Sequence, residues 1–340
     1  MKRVGIGGQA VLEGIMMKGP ESYALAVRKE DGEIATELTP YVSFGERKKL
    51  NRIPIVRGVV NFIESLYIGT KTLMASSEYF LDEEEDDKKS KKNEKEAVKE
   101  PEKEAVNEAV KGAENTPEPK NEKKEEKEDS KGFMIVTLVL SLAFAIGVFV
   151  LLPSFLSNLL YKVTDSDVLV NVSEGLLRMV IFLTYIILIS LTKDVKRTFM
   201  YHGAEHKAIN CLEAGDDLTP ENVLKHTRFH RRCGTSFVFI VMIISILAFM
   251  FIHTDTVWLR MLSRLLLIPV IAGLSYEVIR YAGMHNNACS RIMSAPGLWV
   301  QRLTTKEPDL SMAEVAVRAV EQVIDWREYV KCVRENSFEK

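Results

Sequence analysis

Phe133 to Leu152 is a run of 20 residues without a charge, closed by Pro153. At 1.5 Å per residue a helix of that length covers ~30 Å, the hydrocarbon thickness of a bilayer. A run of this kind constrains a fold more than any motif, because only a helix satisfies its own backbone groups inside lipid. A second uncharged run, Thr235–Ile252, has 18 residues. Gly175–Thr192 carries Arg178 near one end, where a long side chain can snorkel to the interface. Leu265–Tyr276 needs flanks containing Arg264 and Glu277 to reach spanning length. The competing reading of these two is a buried or interfacial helix. The expectation is a mainly α, polytopic membrane protein with about four transmembrane helices.

The four spans make orientation readable. Lys193–Ser236 contains eight Lys/Arg, against one in Pro153–Glu174 and one in His253–Ser263. Positive charge stays on the cytoplasmic side, so both termini and the middle loop are expected to be cytoplasmic. No apolar core follows Lys2 and Arg3, so no cleaved signal is expected. Four widely spaced cysteines, Cys211 and Cys233 among them, read as reduced thiols.

A net charge of −2 conceals opposite regions. Between Asp82 and Lys131 lie 19 acidic and 13 basic residues, net −6, which leaves +4 for the rest. So little apolar surface cannot offset chain entropy, and 82–131 is expected to be a disordered linker. It separates an N-terminal cytoplasmic region, 1–81, from a helical membrane domain, 132–282, and a C-terminal cytoplasmic segment, 283–340.

In the first of these, Tyr23, Leu25 and Val27 alternate with smaller or polar partners. Glu30-Asp31-Gly32 then turns the chain and Ile34, Thr36 and Leu38 repeat the period, which predicts a β-hairpin. The glycines of Gly5–Gly14 match neither the dinucleotide pattern nor a P-loop, and tight backbone approach explains them better. Ile53–Phe80 suits an amphipathic helix on the membrane surface. Near the other end Ser311 and Glu314 predict a capping box opening a helix through about Val333, with Val315, Ala319, Val323 and Trp326 on its buried stripe.

The chemistry concentrates in Lys193–Ser236. Four of six histidines fall there, as two pairs of equal spacing, His202/His206 and His226/His230. Residues four apart share a helix face, so each pair can offer two imidazoles to one ion. His202-Gly203-Ala204-Glu205-His206 has the H-x-x-E-H order of the inverted zincins, in which two histidines hold zinc and a glutamate activates water. For the second pair Thr219, Pro220 and Glu221 mark a helix start. That helix is predicted to run to about His230, with Cys233 just beyond and Gly234 ending the turn. The expected site is therefore a divalent metal, zinc first, on His202, His206, His230 and Cys233, with Glu205 as general base. His226, Glu213 and Glu277 are possible further ligands. The competing reading leaves His226 and His230 facing solvent, Cys233 in a core, and Arg228, Arg231 and Arg232 at lipid headgroups.

Several segments together resemble the YqhQ-like family of bacterial membrane proteins of unknown function, described as predicted metal-dependent enzymes. They are Gly7–Pro20, His202–Lys207, His230–Thr235, Pro296–Gln301 and Leu303–Asp309. The resemblance implies a multipass cytoplasmic-membrane protein and a metal role for His202, Glu205, His206, His230 and Cys233. It supplies no reaction. Three functions stay open: a membrane metal hydrolase, a metal-stabilised scaffold or transport accessory, and a membrane di-iron oxygenase. The last usually needs more histidines. The expected partners are the lipid bilayer and a lipid or membrane-protein substrate. Nucleic acid is not expected, because the loop's basic residues are matched by acids and lack interleaved aromatics.

Overall fold

The computed structural model describes residues 6–47, 50–97, 136–137, 139–141, 143–252 and 257–335. The chain opens with a four-stranded antiparallel meander, β1 (Gly7–Val11), β2 (Gly14–Lys18), β3 (Ser22–Arg28) and β4 (Ile34–Pro40), ordered β1-β2-β3-β4. The predicted hairpin is β3–β4, with Ala26 opposite Thr36 and Gly32 at φ 88° in its turn. The glycine-rich segment before it is a second hairpin that the sequence reading left without strands. Gly14 is fixed there by space, since a Cβ would lie 2.4 Å from the Ala26 carbonyl oxygen.

Both faces of the sheet are covered, so β2 and β3 are buried along most of their length, with large residues (Tyr23, Leu25, Val27) alternating with alanines in β3 and polar residues only at strand ends. After a helical turn, α1 (Phe44–Arg47), the long helix α2 (Val56–Ala97) packs Ile68 against Val11, Met16, Leu25 and Val27. The other face, with Ile15, Met17 and Ala26, packs on α5 (Lys193–Ala214) and α10 (Leu310–Val323) through Tyr201, Ala204, Met312 and Ala316. Helix α2 is thus a brace and does not simply lie on a surface. It begins after Pro54 and Ile55, and its Gly58 abuts Gly273 of α8 (Val257–Met284) so closely that a Cβ would lie 2.9 Å from the Gly273 Cα. Its backbone continues to Ala97, inside the charged segment, while 98–131 lies outside the described residues.

Among the described residues three helical stretches are long and apolar enough to cross a membrane: Val139–Lys162, Asp167–Ile189 and Leu262–Met284. The first includes a π-helical turn, Gly147–Leu151, and α3 (Leu152–Asn158); the second is α4; the third is most of α8. The expected span at 235–252 is instead a shorter apolar helix, α7 (Gly234–Phe249), of 16 residues or ~24 Å. The Asn171 side-chain amide of α4 donates to the Phe249 carbonyl at 3.1 Å, meeting one of the orphan groups where α7 ends.

The polar residues of these helices find one another. Glu174 of α4 is buried and accepts from Arg178 at 2.9 Å and from Arg264 of α8 at 2.6 Å. Arg178 also donates to the Phe149 carbonyl in the π-helical turn. Glu277 pairs with Arg57 of α2, with Nε to Oε1 at 2.6 Å. The chain returns through α9 (Ala288–Thr304), α10 and α11 (Trp326–Glu335). The predicted single C-terminal helix is two helices, because Ile324 is extended (φ −148°, ψ 152°) and Asp325 caps a new start. The first is capped by Asp309, whose carboxylate accepts from Met312 N at 2.9 Å, and not by Ser311.

Candidate metal centre

His202, Glu205 and His206 lie three and four residues apart on α5 and share one face. Helix α5 is separate from α4, with Thr192 extended between them, so the second candidate span does not continue unbroken into the site. Where α5 carries the motif it is wrapped on every side. Gly203 admits the chain after α9, since a Cβ there would sit 2.0 Å from the Lys306 carbonyl oxygen, and Lys306 N donates to Phe199 O at 2.8 Å. Gly8 of β1 admits Glu205, because a Cβ on it would lie 2.7 Å from the glutamate Cγ.

The third candidate ligand arrives on a strap. Helix α6 (Pro220–Lys225) starts where predicted, with Thr219 Oγ1 accepting from Asn222 N, but ends at Lys225 and not near His230. His226 is already extended (φ −82°, ψ 163°). The reason lies in α5, whose side chains take carbonyls that a longer helix would use. Lys207 Nζ donates to Leu224 O (2.9 Å) and His226 O (2.7 Å), and Asn210 to Thr227 O (2.7 Å) and Phe229 O (3.1 Å). The strap then delivers Cys233 as the N-cap of α7, with Gly234 opening that helix, not ending a turn.

One ligand atom each from His202, His206 and Cys233 lies within 4.8 Å of the other two. His202 Nε2 is 3.2 Å from Cys233 Sγ, close to the ~3.5 Å expected for nitrogen and sulfur on one tetrahedral ion. The opposite ring nitrogens are tied to carbonyls: His202 Nδ1 to Thr304 O at 2.9 Å and His206 Nδ1 to Arg228 O at 2.6 Å. A carbonyl only accepts, so each Nδ1 carries the hydrogen and the Nε2 lone pairs are left for the centre, as in protein metal sites generally. Glu205 Oε2 is 3.9 Å from both Nε2 atoms.

Burial opposes charge on His202, but the adjoining Cys233 sulfur outweighs it and lifts the imidazole up to about 9, with Glu205 and the Thr304 carbonyl assisting. Burial also opposes a Cys233 thiolate, yet the His202 and His206 imidazoles hold that thiol well below its usual range. Neighbouring groups thus favour the deprotonated sulfur that a metal requires, and the proton they hold on His202 must leave its Nε2 when an ion binds.

The other expected residues lie elsewhere. His230 is buried beside the centre, its ring centroid 5.7 Å from that of His206, but its Nε2 faces Glu213 Oε2 at 3.7 Å. Glu213 also pairs with Arg232. His226 Nε2 meets Asp216 at 3.0 Å, and Glu277 is engaged by Arg57. Sequence reasoning missed Gln301, fully buried on α9. Its side-chain amide donates to His230 O (2.7 Å) and Ser236 Oγ (2.8 Å) and its Oε1 accepts from His230 N (2.8 Å). A glutamine on the apolar stripe of an amphipathic helix was the available signal. The two carbonyls that orient the imidazoles leave no trace in side-chain identity.

A family model described as a protein of unknown function, DUF1385, matches residues 53–326. The chain is also 35% identical over 320 residues to the uncharacterized protein YqhQ of Bacillus subtilis (strain 168), covering 94% of this chain and 92% of that protein. No solved structure matches it.

Proposed function

The chain belongs to the DUF1385 family, whose function is unknown, and from the geometry of the site we propose a metal-dependent hydrolase at the cytoplasmic membrane face. His202, His206 and Cys233 hold the ion and Glu205 is the general base. The observation that carries this reading is the convergence of two Nε2 atoms and one Sγ within 4.8 Å, with both Nδ1 atoms anchored on carbonyls. Two imidazoles and a thiolate suit zinc, and three protein ligands leave a fourth position open. A zinc ion held there would supply a bound water whose pKa lies near neutrality. Glu205, 3.9 Å from each imidazole, is near enough to accept a proton there and to return it to a leaving group. The eight Lys/Arg of 193–236 favour the cytoplasmic side.

A second reading is favoured by burial. Glu205 is 4%, His206 1% and Cys233 6% exposed, as in a closed structural site with Glu205 as fourth ligand. One experiment separates the two. Elemental analysis of detergent-purified full chain should give about one zinc per chain in wild type and in Glu205→Gln. The cobalt-substituted wild type should change its visible spectrum on adding acetohydroxamate. Loss of metal in Glu205→Gln together with an unresponsive spectrum establishes the structural ion instead, and two irons per chain overturns zinc.

A further inference from the structure

The two edges of the sheet are unlike. β4 ends in Pro40 and carries Glu37, residues that blunt an edge against pairing. β1 is Gly7-Gly8-Gln9-Ala10-Val11, without a charge or a proline, and among the described residues no strand pairs with its outer side. Its register settles which backbone groups face outward. Val11 opposes Gly14 across the two-residue turn Leu12-Glu13, so Val11, Gln9 and Gly7 exchange hydrogen bonds with β2. Gly8 and Ala10 therefore turn their N–H and C=O groups away from β2. Both residues are half-buried and Gly7 is exposed. Gly8 is also the strand residue that touches Glu205.

We infer that the outer edge of β1 is the docking line for an extended peptide segment, which makes a peptide the substrate class of the neighbouring centre; this rests on the hydrolase reading above. A strand added at the usual spacing of ~4.8 Å bonds to the outward groups of Gly8 and Ala10. The glycine beside the base serves two ends: it lets Glu205 approach the sheet, and it keeps side-chain bulk off the face from which Glu205 works. In the reaction one water adds its oxygen to the carbonyl carbon of the docked peptide. Glu205 takes the water's proton and passes it to the amide nitrogen. The C–N bond breaks, leaving a carboxylic acid and an amine.

The test uses zinc-loaded full chain in detergent and two probes, acetohydroxamate and acetyl-trileucine hydroxamate, with binding read from the cobalt spectrum or by calorimetry. Two added backbone hydrogen bonds predict that the peptide probe binds roughly tenfold tighter or more. N-methylation of its backbone amides should remove that advantage while leaving the protein untouched. Ala10→Pro, which deletes one outward N–H at an edge position where proline is tolerated, should reduce it with acetohydroxamate binding unchanged. A peptide probe no tighter than acetohydroxamate, or one whose gain survives N-methylation, overturns the docking edge. Failure of both hydroxamates to bind a metal-loaded protein overturns the hydrolase reading instead.

Discussion

Helices α4 and α5 are consecutive and nearly equal in length, 23 and 22 residues, and they invert each other's surroundings. In α4 only 11% of the most apolar window is buried, so leucines and isoleucines point outward around most of the helix. In α5 nearly every residue from Tyr201 to Leu212 is buried, although the segment contains Glu205, His206 and Lys207. The apolar helix is the one left uncovered, and the polar one is enclosed. A helix that exposes so much apolar surface over 23 residues is long and apolar enough to cross a bilayer. A helix that buries a carboxylate, an imidazole and an ammonium needs a partner for each: Lys207 has carbonyls of Leu224 and His226 and the Glu307 carboxylate, His206 has the Arg228 carbonyl, and Glu205 faces the Nε2 atoms of His202 and His206 at 3.9 Å. Polarity inside α4 obeys the same rule: Glu174 is answered by Arg178 and Arg264.

Four substitutions test that contrast and its surroundings. The largest effect falls on the α5 side. Cys233→Ala should reduce bound metal from about one per chain to near zero, while His230→Ala, whose imidazole faces Glu213, should retain it. Elemental analysis after gel filtration decides between them, and equal loss in both variants would place His230 among the ligands. Next is Glu174→Leu in α4, which strands two guanidiniums among apolar helices. Removing one partner from a buried charge cluster costs ~3–5 kcal/mol, so thermal unfolding in detergent should show a large drop. A change under ~1 kcal/mol would mean that the arginines find other partners.

The smallest effect is at the α10 cap, outside both regions. Asp309→Ala should cost ~1 kcal/mol, read from the same thermal unfolding. Burial works to raise this carboxyl, but its bonds from Ser311 and Met312 and the Arg197 charge hold it below the usual aspartate range. A depressed carboxylate stabilises the fold above its ordinary pKa of ~4, and that contribution fades as pH falls through the lower folded value. The stability difference between wild type and Asp309→Ala should therefore shrink on acidification below about pH 4. A difference independent of pH would show that packing, and not the ionised cap, is responsible.

Much of the membrane-like part was legible because it depends on composition over a window. Charge-free runs of 18 to 20 residues were visible without any contact, and only the extent of α7 was overestimated, since its length is set by where Asn171 meets its end. The β3–β4 hairpin was legible from period-two alternation around a glycine turn. The β1–β2 hairpin was not, because a strand covered on both faces and rich in glycine has no such alternation. At the site, the i, i+3, i+4 spacing placed His202, Glu205 and His206 together with no need of tertiary information. The same spacing rule misplaced His226 and His230. It assumes a helix, and the side chains of Lys207 and Asn210 pull that segment out of one.

By itself, then, the sequence determined that apolar helices of membrane-spanning length exist and that one helical face carries an imidazole, a carboxylate and a second imidazole. Both follow from local composition and periodicity, which the fold left in place here, unlike at His226 and His230. Only the tertiary structure decided that Cys233, 31 positions after His202, comes within 3.2 Å of it, while His230 turns its Nε2 toward Glu213. That choice rests on carbonyls of Thr304 and Arg228 and on the absence of a Cβ at Gly8 and Gly203. Backbone groups are the same in every residue, so their use becomes visible only once the chain has folded.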